Sequence, residues 1–210
     1  MPNKIASSKK NLVTNLKIIG EINGTDLRFI REMAGSDIDG NSTSGNLSVL
    51  DLSEARFVEG GVSYYYYDGY CHTSNDIIGE HAFSGCSSLT SVNIPSSVTD
   101  IRESTFSGCS SLTSVNIPSS VKWIGEFTFS GCSSLTSVNI PSSVTEIRES
   151  TFSGCSSLTS VNIPSSVTVI GGYAFRGCSS LTSVNIPSSV TKIGELAFNK
   201  CSSLTSVNIP

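Results

Sequence analysis

Apolar positions recur along the chain from residue 78 onward with a fixed spacing of 23 residues. Within one unit, Leu89, Val92 and Ile94 follow the pattern L-x-x-V-x-I. Val92 and Ile94 share one face of an extended segment, and the polar residues beside them point the other way, because side chains alternate along a strand. Pro95 ends the strand, since it has no N–H to donate to a neighbouring strand. The pattern predicts one short, half-buried strand per unit.

The rest of the unit is predicted to turn back and complete a coil. Val98 and Ile101 point inward again. The segment 101–106 is too short for an independent α-helix, so we expect a single helical or 3-10 turn closed by Gly108. Each coil offers about seven inward side chains, and burying each contributes roughly 1.5–3 kcal/mol. Ordering the backbone costs about 1–2 kcal/mol per residue, so a single coil is unstable and must stack on others.

This unit occurs six times with little change, and a period of this length is typical of leucine-rich-repeat solenoids. A cysteine marks each copy: Cys86, Cys109, Cys132, Cys155, Cys178 and Cys201. We therefore predict an α/β leucine-rich-repeat solenoid. It is expected to be right-handed, with a parallel β-sheet on the concave face and short helical or 3-10 turns on the convex face.

The residues before the regular array predict a different organisation. We expect a disordered tail at 1–10, an N-terminal cap with irregular repeats at 11–77, and regular 23-residue repeats at 78–210, all within one solenoid domain. In the cap, a strand is expected at 16–19, and Thr25 can cap a short helix that ends at Gly35. An L-x-x-L-x-L strand pattern is repeated by Leu47, Leu50 and Leu52.

Two insertions interrupt the cap. Residues 36–46 form a polar loop, and residues 62–75 carry a run of tyrosines. We expect the tyrosines to cover the irregular coils as a lid, although tyrosine is also enriched in binding loops. Four in a row cannot all face inward on a strand. The tyrosines are Tyr64, Tyr65, Tyr66, Tyr67 and Tyr70.

Charge and composition narrow the function classes. Only 14% of residues are charged, the net charge is −4, and no basic stripe is present, which argues against nucleic acid and anionic membranes as partners. No apolar run reaches membrane-spanning length, so no membrane insertion is expected. The start lacks a hydrophobic signal core, so we expect a cytosolic protein or one whose signal was removed. With two histidines and no Gly-rich phosphate loop, an enzyme is not expected, nor is a cofactor.

The phrase C-x-x-L-x-x-V-x-I-P-x-x-V-x-x-I-x-x-x-x-F resembles the BspA-like (Treponema-type) leucine-rich repeats over residues 78–210. The segment N-G-T-D-L-R-F-I-R-E-M-A-G at 23–35 is similar to the caps of such proteins from gut and oral bacteria. The resemblance implies secreted or surface-attached proteins that bind host or bacterial partners, and it does not imply an enzyme.

The cysteines are the first candidate site. Stacked coils bring successive thiols about 5 Å apart, which permits disulfides. Each cysteine, however, stands at an apolar core position, and metal ligation needs convergent ligands rather than a straight file. We predict reduced, buried thiols from Cys86 to Cys201. A zinc site or Cys–His pair at Cys71, His72, His81 and Cys86 is conceivable, but Cys86 belongs to the file and His81 stands at a position that accepts many residue types.

The outward polar positions of the strands are the second candidate. They form two files that line the concave sheet, where solenoids usually bind. The serines are Ser91, Ser114, Ser137, Ser160, Ser183 and Ser206. The asparagines are Asn93, Asn116, Asn139, Asn162, Asn185 and Asn208. They could bind a repetitive ligand such as a glycan or fibrous protein. We favour a solvated face with asparagines bonded along the ladder, because interface hot spots are usually Trp, Tyr and Arg.

Variable positions lie at the side of the coil and are interpreted as tolerant surface, including Arg102 and Arg148. Trp123 is the exception: it could contact a partner, or it could pack over Phe127 of its own coil.

The sequence thus predicts a non-enzymatic protein-interaction or adhesion module, displayed on or secreted from a bacterial cell and binding a host or bacterial surface protein, possibly a glycan. The alternatives are a purely structural spacer and a glycan-binding repeat surface. Because residues 204–209 lie in the last strand with no capping coil after them, we also expect a longer array or an end-to-end homodimer through the C-terminal coil.

Overall fold

The N-terminal cap consists of two long strands and one helix in the computed structural model, which describes residues 5–6 and 8–209. Strand β1 (Asn15–Ile22) leads into helix α1 (Gly24–Met33), and strand β2 (Val49–Phe57) returns parallel to β1. An antiparallel hairpin of β3 (Gly60–Tyr66) and β4 (Tyr70–Thr73) then carries the tyrosines. The predicted strand at 16–19 lies within β1, and Leu50 and Leu52 of the L-x-x-L-x-L pattern lie within β2, as the sequence predicts.

The predicted disordered tail, 1–10, lies partly outside the described residues, which omit 1–4 and 7. Its end departs from the prediction, because Lys10–Leu12 form a 3-10 helix. The Lys10 ammonium donates to the Glu32 carboxylate of α1 at 2.7 Å. This contact ties the segment to the cap.

The cap of α1 also differs from the prediction. Asn23, rather than Thr25, occupies the N-cap, and its side chain accepts from the amides of Thr25 and Asp26. Asp26 reciprocates by accepting from the Asn23 amide, which completes a capping box. At the other end, Gly35 has φ +103, a left-handed conformation that stops a helix at little cost for glycine.

Two short strands come from each coil after the hairpin, and they form two series of parallel strands, each divided into shorter sheets. In chain order they are β5 (Ile77–Ile78), β6 (Ser91–Asn93), β7 (Asp100–Ile101), β8 (Ser114–Asn116), β9 (Trp123–Ile124), β10 (Ser137–Asn139), β11 (Glu146–Ile147), β12 (Ser160–Asn162), β13 (Val169–Ile170), β14 (Ser183–Asn185), β15 (Lys192–Ile193) and β16 (Ser206–Asn208). Strands β6 and β8 continue the sheet of β1 and β2, because β6 pairs with β2. From β6 onward, wherever two even-numbered strands pair, each residue meets its copy 23 positions later.

The odd-numbered strands of the coils, from β5 to β15, were not predicted. The sequence predicts a helical or 3-10 turn after Ile101, but the structure has β7 followed by turns. The physical reason is that the backbone N–H groups find partners in the next coil: Ser104 donates to the Glu126 carbonyl at 2.9 Å, and Phe106 donates to the Thr128 carbonyl at 2.9 Å. Bonds between coils thus replace the bonds that a helix would make within one coil.

The core follows the predicted inward positions. In the coil that begins at Leu89 all seven are buried, at most 3% exposed. Phenylalanine rings stack from coil to coil with centroids 5.3–5.5 Å apart and planes within 11° of parallel. The residue before each phenylalanine is an additional buried position: Ala82, Thr105, Thr128, Thr151, Ala174 and Ala197.

All seven cysteines are free, and the five from Cys86 to Cys178 are buried, as predicted. Each thiol from Cys109 onward donates to the phenylalanine carbonyl of the preceding coil at 3.0–3.2 Å. Burial raises the pKa of Cys86 to about 11 and that of Cys132 to about 12. Cys201 departs from the prediction because it is half-buried in the last described coil.

A left-handed backbone position in each coil yields a first testable prediction. Gly85, Gly108, Gly131, Gly154 and Gly177 have φ of 72–75°, and the equivalent residue of the last coil is Lys200, with φ 61°. A side chain in this conformation costs about 1 kcal/mol or more. We expect Lys200→Gly to raise the free energy of unfolding by about 1 kcal/mol.

Urea unfolding followed by circular dichroism measures this effect. The control is Lys192→Gly, which removes the same exposed charge from extended strand β15 and is expected to destabilise slightly. A Lys200→Gly variant no more stable than the parent contradicts the assignment of strain to this position.

Candidate functional site

The predicted polar files lie on the outward face of the even-numbered strands. Every serine and asparagine in them is exposed except Ser91 and Asn93, which are half-buried beside β2. Some members bond to each other along the ladder: the Asn208 amide donates to Asn185 at 3.0 Å, and Ser114 meets Ser91 at 3.5 Å. The files form a regular polar surface.

The hairpin divides the five tyrosines into two groups. Tyr64 is 1% exposed, and its hydroxyl donates to the Glu80 carbonyl at 2.9 Å. Burial, reinforced by the nearby Cys71 and Glu80, raises the pKa of Tyr64 well above its usual value. Tyr65 is half-buried between the Arg31 guanidinium, 4.3 Å from its ring, and the His81 ring, 5.1 Å away. These two tyrosines cover the first coil.

The other three tyrosines face solvent. Tyr66, Tyr67 and Tyr70 are 49%, 64% and 68% exposed. Tyr66 and Tyr70 form a tilted pair at 5.0 Å, and Tyr67 rests on His81 at 4.6 Å. Desolvation lowers the pKa of His81, which favours the neutral ring under these contacts. Three aromatic side chains are thereby held at the surface by their neighbours.

Trp123 has a partner that the sequence did not suggest. The Arg148 guanidinium of the next coil lies 3.4 Å from the centre of the Trp123 ring. Gly125 lies between them in sequence, where a Cβ would stand 2.5 Å from the Glu103 amide nitrogen. The glycine therefore allows the backbone of this coil to approach the Arg102–Glu103 backbone of the preceding coil. Trp123 remains 38% exposed.

The tyrosine hairpin and Trp123 line two neighbouring depressions that share Glu80 and Arg102, and we call the two together the aromatic groove. Its first part, about 400 Å³, is lined by residues that include Tyr67, Tyr70, Cys71, His72, Glu80 and Arg102. Its second part, about 180 Å³, is lined by Glu80, Arg102, Glu103, Trp123, Gly125, Glu126 and Arg148. Glu80 and Arg102 belong to both parts. Two regions that are separate in the sequence therefore form one site.

The groove is strongly polar around its aromatic rings. Arg148 pairs with Glu146 at 2.8 Å, and Arg102 lies 3.7 Å from Asp100. Burial, followed by the negative charges of Glu126 and Glu80, raises the pKa of Glu103. Sequence analysis interpreted Arg102 and Arg148 as tolerant surface. The available signal was the alternation of Gly79, Arg102, Gly125 and Arg148 at one repeat position.

The groove does not have the chemistry of a metal site. Among the residues that the structure describes, no group of three or more His, Cys, Asp and Glu side chains could hold a metal ion. Cys71 and His72 both line the groove, while His81 stacks on the tyrosines and Cys86 lies in the core. Burial raises the pKa of Cys71, which disfavours the thiolate. The arrangement is suited to contact and recognition.

Comparisons with known proteins agree with this architecture. A leucine-rich repeat protein from Bacteroides ovatus is 43% identical, with a TM-score of 0.56 over 57% of this chain and 33% of its own. A leucine rich cell surface protein from Faecalibacterium prausnitzii is 36% identical, with a TM-score of 0.52 over 68% of this chain and 45% of its own. The pneumococcal vaccine antigen PcpA, at 21% identity and a TM-score of 0.54 over 77% of this chain and 39% of its own, is similar in fold alone.

The chain thus spans less than half the length of each of these structures. Among curated proteins, none matches it. The family model of the BspA type leucine-rich repeat region matches six copies across residues 71–181. Because that match extends over more than half of the 210 residues and the chain folds as the stacked coils that the repeats predict, this protein belongs to the BspA-type leucine-rich repeat family.

Proposed function

We propose that this chain is a non-enzymatic protein-binding module, displayed on or secreted from a bacterial cell, and that the aromatic groove holds the partner. The observation that carries the proposal is that exposed Tyr67 and Tyr70 line one depression, that Trp123 and Arg148 line the next, and that Arg102 lines both. Tyrosine, tryptophan and arginine are the residue types that dominate binding energy at protein interfaces.

The location outside the cell is supported by one similar protein. The leucine rich cell surface protein from Faecalibacterium prausnitzii is 36% identical over 68% of this chain. Within the described residues, no helix combines the length and apolar character needed to cross a membrane. The partner class that we propose is a host or bacterial surface protein.

The polar files are the competing surface, with a glycan as the competing ligand. They present serine hydroxyls and asparagine amides without an aromatic ring, and some of these groups already bond to each other. The groove, in contrast, offers large rigid contact areas next to charged groups, so a protein partner concentrates its contacts there.

Binding assays on variants test the proposal. The chain is applied to arrays of bacterial and host surface proteins and to a glycan array. We expect protein binding that falls about tenfold or more in Tyr67→Ser/Tyr70→Ser/Trp123→Ser. A matched control, Ser137→Ala/Asn139→Ala, removes two outward polar side chains from β10 and is expected to retain the affinity of the parent.

Circular dichroism and the unfolding midpoint verify that each variant is folded. The proposal is overturned if a folded groove variant binds like the parent, if the control loses binding, or if only glycans bind. An absence of binding to every arrayed partner favours the structural spacer and also counts against the proposal.

A further inference from the structure

Three carboxylates lie along the aromatic groove without an internal counterion. Glu80, Glu103 and Glu126 stand at the same repeat position of successive coils, and all three line the second part of the groove. None of them takes part in an ion pair within the described part of the chain. Successive coils are about 4.8 Å apart, so the three positions extend over about 10 Å.

The arginines of the groove do not neutralise this file. Arg148 is held by Glu146, and Arg102 is closest to Asp100, and neither of these carboxylates lines the groove. Asp68 adds a fourth carboxylate at the hairpin end. The lining therefore contains four carboxylates and two guanidiniums. The two guanidiniums already have carboxylate partners outside the groove, Asp100 and Glu146.

Aromatic faces accompany these charges. Tyr67 and Tyr70 line the hairpin end of the groove and are more than 60% exposed. A cation over an aromatic ring is stabilised by about 0.5–1 kcal/mol at exposed sites. Burial and, after it, the negative charges of Glu126 and Glu80 disfavour the charged form of Glu103 and raise its pKa, and a bound cation opposes both effects.

We infer that the groove recognises a lysine- or arginine-bearing segment of a protein partner, which pairs its cationic side chains with Glu80, Glu103 and Glu126 and places their stems against the tyrosine rings. This inference rests on the proposed function and names the chemistry of its partner. Charge complementarity identifies the occupant as a basic polypeptide rather than an acidic peptide or a neutral sugar.

Trp123 supplies the readout, because it is the single tryptophan of the sequence and it lines the groove. The probes are hexalysine, hexaglutamate and maltohexaose, each titrated into the full chain while tryptophan fluorescence is recorded. We expect a saturable change with hexalysine alone. The apparent Kd is expected to rise about tenfold or more between roughly 50 and 500 mM salt, since exposed ion pairs are screened.

Matched variants separate the groove from the net charge of the protein. Glu103→Gln is expected to weaken hexalysine binding about fivefold or more. The double variant Glu103→Gln/Glu126→Gln is expected to bind hexalysine more weakly still. Glu195→Gln removes the same charge from the same repeat position in the last coil, outside the groove, and is expected to bind like the parent. Because its pKa is raised, Glu103 loses its charge earlier than an ordinary carboxyl as the pH falls, so binding weakens at mildly acidic pH.

Three results overturn the inference: equal or stronger binding of hexaglutamate, hexalysine binding that Glu103→Gln and Glu195→Gln weaken alike, or no response to hexalysine. Any of these leaves the proposed function standing if the arrayed protein partner is still lost with the groove variant. Conversely, if the groove variant binds the arrayed protein as tightly as the parent does, the proposed function and this inference are both refuted.

Discussion

Replacing Arg31 by methionine is expected to lower the free energy of unfolding by about 3–5 kcal/mol, one of the largest losses available in this chain. The Arg31 side chain is fully buried, with 0% exposure. One of its terminal nitrogens donates to the carbonyls of His81, at 2.7 Å, and Ala82, at 3.1 Å. The other bonds the Ser84 carbonyl at 3.1 Å, and it also bonds the Ser36 hydroxyl and the Asp37 carbonyl.

Methionine retains an unbranched apolar side chain, but it is shorter than arginine and donates no hydrogen bond. Replacing a buried ion pair with apolar residues is often neutral, because both charged partners are removed together. Here the partners are mainly backbone carbonyls, which no substitution removes, and each acceptor left unsatisfied in the interior costs about 1–3 kcal/mol. The stacking of the guanidinium on Tyr65 is lost as well.

Chemical unfolding measures the free energy of unfolding of Arg31→Met and of two variants for comparison. Arg28→Met changes an arginine of the same helix that is 42% exposed and lies 3.9 Å from Glu32, so a loss below about 0.5 kcal/mol is expected. Arg31→Lys retains the charge without the forked donors, and an intermediate loss is expected. If Arg31→Met and Arg28→Met differ by less than about 1 kcal/mol, the buried guanidinium does not join helix α1 to the first coil as described.

The parts of the fold that repeat were predictable from the sequence. Leu89, Val92 and Ile94 are buried like their copies in the next coil. Buried positions are therefore visible in the sequence as apolar residues that recur every 23 positions. Strand β2 shows the related pattern of leucines at Leu50 and Leu52. In each case, apolar residues at a fixed spacing predict which positions are buried.

The odd-numbered strands from β5 onward were not predictable by the same reasoning. Strand β7 exists because its backbone pairs with β5 and β9, and its sequence, Asp100–Ile101, carries no strand pattern of its own. A turn with φ 53° at Ser104 also has no signature, since the equivalent positions hold His81 and Phe127 among other types. Stacking of coils sets these conformations, and local propensity does not.

The candidate site shows the same division. Exposed tyrosines and Trp123 could be selected from the sequence by residue type alone. Their union into one groove depends on the hairpin of β3 and β4 folding beside Glu80 and Arg102, which is a contact between segments. Sequence analysis therefore found the aromatic residues of the groove and missed its charged ones.

Phe129→Ala is expected to cost about 3–5 kcal/mol and to reduce the cooperativity of unfolding. Phe129 is fully buried, and its ring stacks on those of Phe106 and Phe152 at 5.5 Å on either side. Alanine leaves a cavity in the middle of the array. Since each coil is stabilised by its neighbours alone, a cavity here weakens both interfaces of one coil and divides the stack into two shorter arrays.

Phe198→Ala is the matched control, because it changes the same residue at the same repeat position in the last described coil. Phe198 is half-buried and stacks at 5.4 Å on Phe175. Only one interface is weakened, so we expect about half the loss and an unfolding transition as steep as that of the parent. Urea unfolding by circular dichroism gives the free energy and the slope of each variant. Equal losses of free energy in the two variants would mean that the coils are not coupled to their nearest neighbours. A shallower dependence on urea concentration for Phe129→Ala alone is the result expected of a stack of coils held together by its interfaces.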